Sequence, residues 1–142
     1  MSRTESIFLA DFMATEKYGE QLAQRLDKAA LVFLHGQLGA GKTTLVRGIL
    51  RALGHTAAVK SPTYTLLEPY ELADWTVYHF DFYRINDPQE LDFIGLDELL
   101  DVQAVKLIEW PERAQDRLPA PDVEILLSLE GEGRRIEITL PD

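Results

Sequence analysis

The chain has no cysteine in its 142 residues. That excludes disulfides, thiolate zinc sites and cysteine nucleophiles, and leaves the redox compartment open. Cations are also scarce. Lys and Arg number 14 against 24 Asp and Glu, a formal net charge of -10. Such a chain repels phosphate backbones on average, which disfavours tight direct RNA binding. A bound nucleotide stays compatible with it, because helix N-termini and magnesium offset charge locally. No apolar run approaches the ~18 residues that span a bilayer. The opening MSRTESIFLADFMATEK holds no uninterrupted apolar segment of the leader type. A cytoplasmic protein is the expectation.

What is present is a core. Hydrophobic residues make up 46% of the chain, and a chain near this length buries roughly 68–70% of its unfolded surface. One domain over residues 1–142 is expected. Tyr18, Leu22, Leu26 and Ala29 form one helical stripe, with Thr15 as its cap. ALVFLH and VKLIEW are short continuous apolar runs of the kind buried on both faces of a parallel sheet. Leu45, Ile49 and Leu53 give a second helical stripe that Gly54 stops. SPTYTLLEPYEL and WTVYHFDFYR predict a β-hairpin, and VEILLSLEGEGRRIEITL a terminal one. DPQELDFIGLDELL predicts a helix from Asp87-Pro88, broken in two by Gly95. PERAQDRLPAP reads as loop, with room for one helical turn.

The strongest chemical signal is Gly36 to Thr43, GQLGAGKT, with an apolar strand before it and a helical pattern after it. This is G-x-x-x-x-G-K-[ST], the phosphate-binding loop. Its glycines let the backbone curl round oxygen atoms. The amides of Leu38, Gly39, Ala40, Gly41, Lys42 and Thr43 then point inward as a cradle. Lys42 supplies a cation for β- and γ-phosphates, the Thr43 hydroxyl a magnesium ligand, and the helix start a positive end.

A triphosphate site also needs an acid near the metal. Glu109 ends the apolar strand VKLI, where a parallel sheet delivers site residues. Asp81 shares a strand face with Val77, His79 and Tyr83. Each acid has a structural alternative, Asp81 as a buried ion-pair partner and Glu109 as an exposed strand-end charge. Trp110 is either packing or a wall of the ligand site. His35 and His79 read as structural rather than metal-binding. Ser61, Thr63 and Thr65 in SPTYT are either an ordinary strand start or sensors of the γ-phosphate.

Four segments in this order and spacing, GQLGAGKTTLVRG, KSPTYTLLEPY, YHFDFYR and LIEWPE, resemble the TsaE (YjeE) family. The likeness runs from about Ile7 to Leu140. It implies a P-loop NTPase-like three-layer α/β fold, with a mostly parallel central sheet and added antiparallel strands. It implies ATP, magnesium and a weak ATPase. It further implies work with the TsaD and TsaB proteins on adenosine 37 of tRNAs reading codons that start with A, the tRNA being reached through those partners. Residue by residue, it marks the Leu38 to Thr43 loop with Thr44 beside it, Lys42, Thr43 as metal ligand, Asp81 and Glu109 as the acids, and Trp110 near the nucleotide. Thr15 and Arg134 also lie where that family contacts nucleotide. Gln37 departs from the acid common there. Two other readings are a small kinase, with Arg113 and Arg117 imitating a lid, and a nucleotide-gated binding module with negligible catalysis. Arg84 is an internal candidate for a catalytic arginine.

Overall fold

The computed structural model describes residues 2–62 and 64–141. Thr63 therefore lies outside the described residues. The apolar runs ALVFLH and VKLIEW become β2 (Leu31–His35) and β5 (Val105–Glu109), paired in parallel. With β4 (Thr76–Asp81) and β6 (Val123–Glu130) they form four parallel central strands, ordered β6-β2-β5-β4. Antiparallel strands close both sides. β3 (Leu67–Glu71) pairs β4, while β7 (Gly133–Pro141) and β1 (Ser2–Leu9) continue from β6. Both expected hairpins are present. β1 is an element that the hydrophobic pattern did not reveal.

Strand alternation sorts the core into two layers. Val32, Leu34, Val77 and Leu107 face α1 (Phe12–Ala23) and α2 (Lys42–Ala52). Leu31, Phe80 and Ile108 face the other side, where Leu91 and Leu96 arrive from α3 (Glu90–Phe93) and α4 (Leu96–Asp101). Gly95 does divide those two helices, with φ at 69°. The first starts at Glu90 instead of Pro88, because the residues before it form i→i+3 turns. The Glu90 amide bonds the Asp87 carbonyl and the Leu91 amide that of Pro88, while the Glu90 carboxylate accepts the Asn86 and Asp87 amides. Gly54 ends α2 as expected. The His55 amide bonds the Leu50 carbonyl and the Gly54 amide bonds the Arg51 carbonyl, a Schellman closure.

Three local expectations are corrected. Asp11, not Thr15, caps α1, since its side chain accepts the Ala14 amide. Thr15 is one turn inside, and its hydroxyl donates to the Asp11 carbonyl at 2.9 Å. The helix also ends at Ala23, so Leu26 and Ala29 are not on its stripe, and Ala29 is exposed. Finally, PERAQDR is a 3-10 helix over Pro111–Arg117, held down by fully buried Ala114.

The two long helices meet backbone to backbone. A Cβ on Gly48 would lie 2.0 Å from the Glu16 carbonyl oxygen, and one on Gly19 2.4 Å from that of Leu45. This close approach brings the start of α1 against the loop that precedes α2. Among the described residues no helix is long and apolar enough to cross a membrane.

Candidate functional site

Parallel strands deliver their carboxyl ends to one edge of a sheet. Here β2 runs into the glycine loop at that edge. In register beside it, Leu34 pairs Glu109, and Glu109 pairs Asp81. Adjacent strands lie about 4.8 Å apart, so two carboxylates from neighbouring strands stand side by side, both buried. They share the sheet face with Val77 and Leu107, the face that carries α2.

The loop has the backbone its glycines permit. Gly39 and Gly41 take φ of 83° and 107°, and Gly41 is the left-handed residue from which α2 begins. The open first turn of α2 thus faces the carboxylates, a natural place for an anion. A cavity of about 290 Å³ fills the space between. Its walls include Leu38, Gly39, Gly41, Lys42, Thr43 and Thr44 from the loop and helix, and Asp81, Glu109 and Trp110 from the strand ends. Phe12 and Ser61 complete them.

Not every expected residue reaches the cavity. Ala40 is fully buried behind the loop, and its amide is engaged by the Gln37 carbonyl at 3.1 Å. That amide does not join an inward cradle in this conformation. Thr15 and Arg134 stand beside the loop at Gly41 but are not among the residues that line the cavity. The Arg134 Nη1 would be 3.1 Å from a Cβ on Gly41, and the Thr15 methyl 3.6 Å. Arg134 is buried under the Phe12 ring, 4.1 Å from its centroid. Of the SPTYT hydroxyls, Ser61 lines the cavity, whereas Thr65 is exposed and bonds the Leu67 carbonyl. Phe12 was not anticipated. Its signal was an aromatic in the first helical turn, three residues before Thr15, that no core stripe required.

Lys42 is nearly buried and points into this cluster. Its Nζ donates to the Gly36 carbonyl at 2.5 Å and sits 4.2 Å from the centroid of the Trp110 ring. Burial pushes its pKa below the ordinary lysine value, and Glu109, Asp81 and Glu112 partly oppose that shift. Trp110 is therefore both packing and wall. It holds a left-handed backbone, φ 58° and ψ 49°, which costs a non-glycine residue on the order of 1–3 kcal/mol. That turn aims the indole across Lys42 and against Tyr83, 4.9 Å away between ring centroids. Pro111 follows as the first residue of the 3-10 helix, where no amide is needed.

The acids are held by specific donors. The Tyr83 amide donates to Asp81 Oδ1 at 2.9 Å. Glu109 Oε2 is 2.6 Å from His79 Nε2, with both side chains buried. Among the described residues no three His, Asp or Glu side chains form a ready metal cage. The donor set still suits magnesium, a hard cation that binds through one or two carboxylates and completes its shell with phosphate and water oxygens. Thr43, Asp81 and Glu109 are the side chains that could hold it.

The arginines lie elsewhere. Arg117 pairs with Asp92 at 2.5 Å. Arg113 bonds the Ile85 carbonyl and flanks the Tyr83 and Trp110 rings. Both are tied to the body of the protein, so the segment does not form a lid in this conformation. Arg84 is exposed and stacks on Tyr64, 4.3 Å from its centroid.

A glycine loop between a central parallel strand and a helix, facing acids on the neighbouring strand ends, defines a three-layer α/β protein of the P-loop NTPase-like class. Its overall similarity to a crystal structure of Bacillus subtilis YdiB gives a TM-score of 0.84, at 27% identity, covering 100% of this chain and 88% of that one. The family model described as threonylcarbamoyl adenosine biosynthesis protein TsaE matches residues 9–136. The tRNA threonylcarbamoyladenosine biosynthesis protein TsaE of Haemophilus influenzae is 42% identical over 136 residues, 92% of this chain and 86% of that protein. The Synechocystis protein of the same name is 42% identical over 113 residues, 75% of this chain and 69% of that one. The chain belongs to the TsaE family, which takes part in tRNA threonylcarbamoyladenosine biosynthesis.

Proposed function

We propose that this chain is an ATP-binding, weakly ATP-hydrolysing accessory protein, required for threonylcarbamoyl modification of adenosine 37 in tRNAs reading codons that start with A. It acts in the cytoplasm with the TsaD and TsaB proteins. The observation that carries the reading is the convergence of Lys42, Thr43, Asp81 and Glu109 on one cavity at the start of α2.

The chemistry follows from those groups. The loop amides and the helix start attract the triphosphate. Lys42 exchanges its Gly36 carbonyl for phosphate oxygens, a stronger charge-assisted bond. Thr43, with Glu109 or Asp81, holds magnesium, which when bound neutralises charge on the phosphates. The remaining carboxylate orients the attacking water. Trp110 shields this end of the cavity from solvent. The net charge of -10 supports a protein that leaves tRNA to its partners.

ATP turnover, measured as free inorganic phosphate with and without TsaD, TsaB and tRNA, tests the proposal. Stimulation by the partners is expected. Phosphate transferred to a metabolite instead would contradict it and favour a kinase. Partner capture by ATP with no turnover under any condition would favour the binding module.

A further inference from the structure

We infer that His79 is a positioning residue for Glu109, setting how that carboxylate meets a nucleotide-bound metal. The inference rests on the magnesium–nucleotide reading above and extends it to a residue outside the cavity wall.

His79 lies inside β4, two residues before Asp81 and on the same face, with no exposed surface. Across the sheet its register partner is Leu107, not Glu109. The contact with Glu109 is therefore diagonal. The imidazole reaches along the sheet towards the carboxyl edge and meets Oε2 at 2.6 Å. Its neighbours on that face, Val77 and Leu107, are fully buried and apolar. An apolar residue would fill such a place without the desolvation cost of a polar ring.

The second ring nitrogen sharpens the point. Nδ1 is buried and has no hydrogen-bond partner among the described residues. A histidine placed for general hydrogen bonding would use both nitrogens. Here one is left without a partner while the other makes a short contact with Glu109. With Nε2 as the donor, Nδ1 is left as a bare lone pair, which a buried site tolerates better than an orphaned N–H. Holding Oε2 fixes the carboxylate rotamer. Glu109 itself remains part of the cavity wall, and the His79 contact occupies only Oε2. Partners that orient a ligating group in this way typically change metal affinity by about 10–100-fold when removed.

The test uses the full chain with ADP, Mn2+ as the probe and electron paramagnetic resonance to count bound metal. His79→Leu should weaken Mn2+ binding to the ADP complex about 10–100-fold. Metal-free ADP affinity should stay within about twofold, because His79 does not line the cavity. His79→Gln, whose amide can donate from nearly the position of Nε2, should recover most of the metal affinity. If His79→Leu fails to fold, His79→Asn replaces it, since the shorter amide keeps polarity but does not reach Glu109. Unchanged Mn2+ affinity in the folded Leu or Asn variant would overturn the inference. So would equal loss in the Gln and Leu variants, which would make His79 a packing residue. If the unmodified protein binds no Mn2+ with ADP, the metal reading falls first and this inference with it.

Discussion

The two ends of the sheet follow opposite rules. On the β6-β7-β1 flank the buried side chains are mostly apolar, although apolar Leu126, Ile7 and Phe8 are exposed there as well. Val123, Ile125 and Leu127 are buried, while Glu124, Leu126 and Ser128 between them are exposed. Its Arg135–Glu130 pair is surface-exposed. At the carboxyl edge of β2, β5 and β4 the rule inverts. Lys42, His79, Asp81 and Glu109 are all buried, and the apolar Leu38 and Phe12 stand out in solvent at 62% and 54% exposure. Burying four polar side chains works against folding unless each finds a partner. An exposed aromatic beside them gains nothing from the core. The flank has the pattern of a scaffold and the edge that of a binding site.

The contrast sets the sizes of the expected effects. Lys42→Ala should reduce partner-dependent ATP turnover at least ~100-fold, in the phosphate-release assay described above. Arg135→Ala on the flank should leave turnover unchanged and alter stability by no more than about 1 kcal/mol. Comparable losses in the two variants would erase the distinction between site and scaffold. Next come the acids. Asp81→Asn and Glu109→Gln should each lower magnesium-dependent hydrolysis at least ~10-fold. Unaltered turnover in either would remove that carboxylate from the chemistry.

The joint between the regions is the α1–α2 contact. A glycine in a helix interior ordinarily gains about 1 kcal/mol on becoming alanine. At Gly48 the added Cβ meets the Glu16 carbonyl, so overpacking of about 1–3 kcal/mol should win. With the helix gain deducted, a net loss of up to about 2 kcal/mol remains, and the melting temperature of Gly48→Ala should fall by up to roughly 8 °C in calorimetry. A rise would show that the helices separate at little cost. The smallest effect is a proton. Burial lowers the pKa of free Lys42, and phosphate would raise it again. Between those two values the free amine is partly deprotonated and the bound one protonated. ATP binding at alkaline pH should then take up a fraction of a proton, seen by calorimetry in buffers of different ionisation enthalpy. Lys42→Ala should lose that uptake, and its persistence there would assign it to another group.

These differences also explain what the sequence made legible. Continuous apolar runs gave β2 and β5, and the glycine spacing gave the loop, because each is a local pattern with one structural solution. β1 stayed hidden. Its Ile7 and Phe8 remain about half exposed, and Glu5 pairs with Arg25 instead of entering a core. The sequence favours Thr15 as the α1 cap because Thr15 adjoins the Tyr18–Leu22 stripe, whereas the true cap Asp11 lies a turn ahead of it. The Glu109–His79 bond joins residues 30 apart in the chain, so only the strand register reveals it. Whether Trp110 was packing or wall was not a choice the sequence could make, since a left-handed turn lets it do both.

The central claim is that nucleotide enters the cavity between Lys42 and Trp110. It is tested most directly by Trp110 fluorescence in a Trp75→Phe background, titrated with ATP and magnesium. Lys42 now sits over that indole. ATP should draw it away and give a saturable change in emission that Lys42→Ala lacks. ATP bound at full affinity with no change in Trp110 emission would put the nucleotide elsewhere and contradict the account.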